Sequence, residues 1–87
     1  MHAVVVRVAI GDVDSAEKAL RGEVVPRIAQ APGFVAGYWT RKDDKGLSML
    51  IFETEEDANR ASEMVRSVGF EYVTLEDVEV REVVAHA

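Results

Sequence analysis

Residues 34–53 admit one local reading. Phe34 to Arg41 and Leu47 to Glu53 are runs of aromatic, β-branched and aliphatic residues separated by the polar stretch Lys42-Asp43-Asp44-Lys45-Gly46. Two such runs joined by a short glycine-containing loop fold as a β-hairpin. A lone hairpin is marginal in water and needs further strands or a helix to cover its apolar side. Both flanks supply them. Ala3 to Ile10 alternates, with Val4, Val6, Val8 and Ile10 on one side and Ala3, Val5, Arg7 and Ala9 on the other, so it reads as a strand. After Gly11-Asp12, Asp14 is placed to cap a helix with Glu17 three residues on, and Ala16, Ala19, Leu20, Val24 and Ile28 recur at helical spacing. Pro26 lies inside that pattern and takes a backbone donor from it, which predicts a kinked helix. Ala31-Pro32-Gly33 ends the helix before the hairpin.

Beyond the hairpin, Thr54 with Asp57 three residues later predicts a second helix, with Ala58, Ala61, Val65 and Val68 as its apolar stripe and Gly69 as its stop. A last strand is clearest at Val78 to Val84. The order is therefore βαββαβ, the split βαβ or ferredoxin-like pattern of an α+β fold: a four-stranded antiparallel sheet with two helices on one face. The 87 residues form one domain, 1–87, without an internal repeat or a linker.

The second face of that sheet should be polar if it met water, but Val4-Val5-Val6, Phe34-Val35, Tyr38-Trp39 and Leu50-Ile51-Phe52 put apolar side chains on both faces. A chain this short buries only roughly 60–65% of its unfolded surface, which adds a reason to associate. A two-fold homodimer through the sheet face is the economical expectation.

Composition removes several function classes. The net charge of −6 opposes a nucleic-acid partner, and the densest basic stretch, Arg41-Lys42 with Lys45, is interrupted by Asp43 and Asp44 at the hairpin tip. No apolar run approaches the ~20 residues of a membrane span, so no membrane partner and a cytoplasmic location are expected. The absence of cysteine excludes disulfides and thiolate chemistry. His2 and His86 stand near the chain ends and fall short of the three or four ligands of a zinc site, so no metal is expected. Glu53, Glu55, Glu56 and Asp57 suit the positive end of the second helix rather than a calcium loop.

The element order, the Ala31-Pro32-Gly33-Phe34 junction, the aromatic pair Tyr38-Trp39, and Leu50-Ile51-Phe52-Glu53-Thr54 running into Glu55-Glu56-Asp57-Ala58 resemble the dimeric α+β barrel superfamily, most closely its antibiotic-biosynthesis-monooxygenase-like branch. The resemblance covers nearly the whole chain and implies a barrel formed by two sheets, with a pocket in each subunit between sheet and helices. It further implies cofactor-independent oxygenation of a small phenolic or quinol-like molecule, with no metal or cofactor required. Trp39 would then stack on the ring, Tyr38 donate a hydrogen bond and Arg7 stabilise an oxyanion. Each has a structural alternative: core or interface packing for the two aromatics, and a salt-bridged interface position for Arg7. Haem degradation, also found among such barrels, relies in the resembling enzymes on a first-strand asparagine and on a tryptophan and a histidine at the second helix. This chain has none of them there. The alternative to an enzyme is a non-catalytic small-molecule-binding or assembly module.

Overall fold

The computed structural model describes residues 1–68 and 70–87, so the expected stop at Gly69 lies outside the described residues. Strand β1 (His2–Ile10) leads into a helical layer made of α1 (Val13–Ala19), a π-helical turn (Leu20–Val24) and α2 (Val25–Ala29). Strands β2 (Phe34–Lys42) and β3 (Lys45–Phe52) form the hairpin, followed by helix α3 (Glu55–Ser67) and strand β4 (Val73–Glu82). All pairings are antiparallel, in the order β2-β3-β1-β4. The expected α+β architecture is the one observed, with the ends of its elements shifted.

Each shift has a local cause. The first helix is capped by Asp12, not Asp14: its carboxylate accepts from the Ser15 amide at 3.2 Å and from the Ser15 hydroxyl at 2.9 Å, which starts the helix at Val13. Both contacts pull the Asp12 pKa below its ordinary value, the amide contact most. Pro26 is absorbed by the π-helical turn just before it, where the Val25 amide donates to Leu20 five residues back and the backbone stays right-handed from Ala19 to Val25. The expected five-residue hairpin loop tightens to Asp43-Asp44, because Lys42 and Lys45 pair across the ladder and Asp43 takes φ = 55°, a conformation aspartate tolerates. β4 begins at Val73, earlier than its clearest part, and a bulge at Glu76 interrupts its alternation.

The core lies between the sheet and the helices. Val4, Val6, Leu50, Phe52 and Val78 point inward to meet Ile28 of α2 and Ala58, Ala61 and Val65 of α3. Phe52 is fully buried, and Phe34 meets it edge-on with ring centroids 5.8 Å apart. A bulge at Val35 turns Phe34 inward while Ala36 faces out. α3 is held by the Thr54 cap, whose hydroxyl accepts from the Asp57 amide at 3.1 Å, and by Arg66, which donates to the Val78 carbonyl at 2.6 Å. Gly33 is required at its turn: φ is 77°, and a Cβ there would meet the Asp57 carboxylate.

Candidate functional site

The register separates the three residues singled out in the sequence. Trp39 lies opposite Ser48, which pairs with Val6, which pairs with Val78, and this row faces the helices. Tyr38 shares a row with Met49, Val5 and Glu79 on the other face, and Arg7 shares the next row there with Thr40, Leu47 and Asp77. Arg7 and Tyr38 thus share the outer face, on the strands either side of β3, and Trp39 stands on the far side of the sheet from both.

Trp39 is half-buried against the core. Its indole lies along its own strand over Gly37, close enough that a Cβ on Gly37 would sit 2.8 Å from Cη2. The missing side chain at Gly37 makes room for the ring in the layer between sheet and helices. The helical segment over that layer buries few of its residues. Of residues 13–29, Ile28 alone is buried, while Leu20, Val24 and Val25 are half-buried. Phe34 lies beside the same glycine, and Ser48 is the one polar side chain in the Trp39 row. The Trp39 face is thus aromatic and weakly polar, a lining suited to stacking on a flat apolar molecule.

The outer face has a different chemistry. Arg7 donates through Nη1 to Glu79 at 3.1 Å and to Asp77 at 3.3 Å, and Arg81 donates to the same Glu79 oxygen at 2.9 Å. Arg81 first and Arg7 second hold the Glu79 carboxyl below its usual pKa. Toward β2 the face turns apolar, with Leu47 42%, Met49 44% and Tyr38 66% exposed. At its hairpin end lies an open depression of about 370 Å³, whose lining includes Arg7, Arg41, Lys42, Lys45, Leu47 and Glu76. Lys45 is bonded to Glu76 at 2.9 Å, which raises the Lys45 pKa.

Asp77 and Glu79 as the partners of Arg7 escaped the sequence reading. The signal was the β1–β4 pairing, which sets Arg7 opposite Asp77, but the bulge at Glu76 hid the register. Gly37 was equally silent, since an isolated strand glycine shows no sign of the ring lying over it. The acidic start of α3 does what was expected of it. Thr54 caps, while Glu56 and Asp57 pair with Arg60 on the exposed helix surface at 3.0 and 3.6 Å. His2 meets Glu55 at 3.3 Å, and no group of three metal-ligating side chains occurs among the described residues. No described helix is long and apolar enough to cross a membrane.

No protein-family model matches the chain, and no curated protein matches it. A solved structure does: a point mutant of SnoaB, a cofactor-independent oxygenase from Streptomyces nogalater, superimposes with a TM-score of 0.71 over 98% of this chain and 94% of that one, at 13% sequence identity. At that identity the likeness concerns the fold. The chain carries the α+β fold of that oxygenase.

Proposed function

We propose that the protein is a cytoplasmic, homodimeric, monooxygenase-like enzyme that needs no cofactor and acts on a small phenolic or quinol-like molecule held in the layer between sheet and helices. The observation that carries this reading is Trp39, an inward-facing aromatic whose ring reaches over Gly37 in the layer between sheet and helices. The shared fold with a cofactor-independent oxygenase supports it. A phenolate or quinol itself supplies the electrons that reduce dioxygen, so the protein's share is to hold the ring and keep water out. The homodimer reading rests on the outer face, where Tyr38, Leu47 and Met49 are exposed beside the buried Ala3 and Val5. Dioxygen consumption with a panel of phenols and quinols tests the activity. Turnover that falls by about tenfold or more in Trp39→Ala, and persists in Tyr38→Phe, is expected from the loss of one stacking partner in the slot. No consumption with any of them removes the oxygenase reading.

One observation favours the alternative of a non-catalytic binding module. Arg7 and Tyr38 do not converge on Trp39, and Ser48 alone brings a polar side chain to its row. A protein that retains a phenol or quinol without consuming dioxygen is that module.

A further inference from the structure

We propose that Val13–Val24, α1 together with the π-helical turn, is a gate that opens locally to admit a flat molecule to Trp39, with the π-helical turn as its hinge and the Glu17–Arg41 ion pair as its latch. The inference rests on the reading of the inner layer as a binding site. It concerns the helix side of the sheet, away from the outer face given to the homodimer.

The helical elements that cover the sheet are anchored unequally. α3 buries Ala58, Ala61, Ser62 and Val65, is capped by Thr54 and is tied to β4 by the bond from Arg66 to the Val78 carbonyl. Between Val13 and Val24 no residue is buried, and the apolar ones are half-buried at most. Among the described residues one side-chain contact joins this segment to the sheet: Arg41 Nε donates to Glu17 at 3.4 Å, with 43% and 45% of the two side chains exposed. An exposed pair of that kind is a weak tie. Segments with few buried side chains open at less cost than the whole molecule unfolds.

Both ends of the segment are fixed, so the motion is confined to what lies between them. Gly11 donates to the Tyr72 carbonyl at 2.9 Å before the helix begins, and Ile28 is buried beyond its end. The hinge has a local cause. Gly22 stands inside the π-helical turn in open space, since a Cβ there would meet nothing within 4 Å. Packing does not require a glycine at that position, and a glycine inside a helix loosens it. The latch stands beside the ring. Arg41 and Trp39 are two residues apart on β2 and both face the helices, in rows with Gly46 and Ser48, and α2 packs on the same strand. Release of Glu17 from Arg41 therefore frees the cover next to Trp39 while Ile28 stays in place.

Two measurements on the intact protein test the gate. Amide hydrogen exchange without ligand reads the opening, and stopped-flow fluorescence with phenol as probe reads the admission, because Trp39 is the one tryptophan of the chain. The amides of residues 17–24 should exchange about tenfold or more faster than those of Val4, Val6 and Leu50. Glu17→Lys sets two cations against each other and should speed that exchange by about two- to fivefold, and combining it with Arg41→Glu should restore the original rate. Gly22→Ala should slow it by up to about fivefold. The phenol association rate should rise and fall with the exchange. Exchange at residues 17–24 as slow as in β1, a reversed pair that behaves like Glu17→Lys alone, or an association rate unmoved by all three variants would overturn the gate. Phenol that leaves the Trp39 fluorescence unchanged in every variant overturns the binding reading instead, and the exchange pattern then decides the hinge and latch by itself.

Discussion

Gly37 and Arg7 show how much one side chain, or the lack of one, decides in this protein. A methyl group on Gly37 would lie 2.8 Å from Trp39 Cη2 and 2.9 Å from Cζ3, too close for a rigid ring to ignore. Gly37→Ala should therefore cost about 1–3 kcal/mol by overpacking and shift the tryptophan fluorescence, as read by urea denaturation and emission spectra. At Arg7 the chemistry is electrostatic. The Glu79 pKa is lowered by hydrogen bonds from Arg81 and then from Arg7, so its contribution to stability is complete above the unfolded-state pKa and is lost as pH falls through the lower folded one. Carbon-detected NMR titration of Glu79 in Arg7→Met should move its midpoint up toward, but not to, the ordinary glutamate value, because Arg81 remains. A midpoint that does not move would place Arg7 elsewhere. The sequence narrows Arg7 to a salt bridge or a pocket cation, because an arginine among Val5, Val6, Val8 and Ala9 needs partners. It cannot name Asp77 and Glu79, which become neighbours only through the β1–β4 register.

At the scale of elements, strong local signals survive folding and interrupted ones blur. The hairpin, the α3 cap and the alternation of β1 are short-range patterns, and each stands close to where its residues put it. β4 is less legible because the bulge at Glu76 shifts the inward positions from Val73 and Leu75 to Val78 and Val80, which breaks the period of two. The first helix is legible as a helix bent by Pro26, but its π-helical turn is a response of hydrogen bonding that no spacing rule announces. α3 carries much of the core through Ala58, Ala61 and Val65, so its start matters. Thr54→Ala removes the hydroxyl that accepts from the Asp57 amide and should cost about 1 kcal/mol, with an unchanged urea dependence.

At the scale of the whole molecule, two faces of one sheet have been given different tasks. The inner face meets the helices and holds Trp39, and the outer face carries an ion network on β1 and β4 beside exposed apolar residues on β2 and β3. Its apolar content was visible in the sequence as strands hydrophobic on both sides. That Trp39 and Tyr38 face opposite ways follows from their being strand neighbours, but which of them faces inward, and on which side Arg7 falls, is decided only by the register and the packed helices. If a second copy covers the outer face, a charge at its apolar half should prevent the pairing. Met49→Glu should give a folded monomer by light scattering, with its circular dichroism preserved.

The central claim, an aromatic ligand held by each subunit of a homodimer, is tested most directly by mass spectrometry under non-denaturing conditions, with the protein alone and with a panel of phenols and quinols. The account predicts a dimer that retains one aromatic molecule per subunit and loses it in Trp39→Ala. A monomer, or a dimer that retains none of the panel, would contradict it.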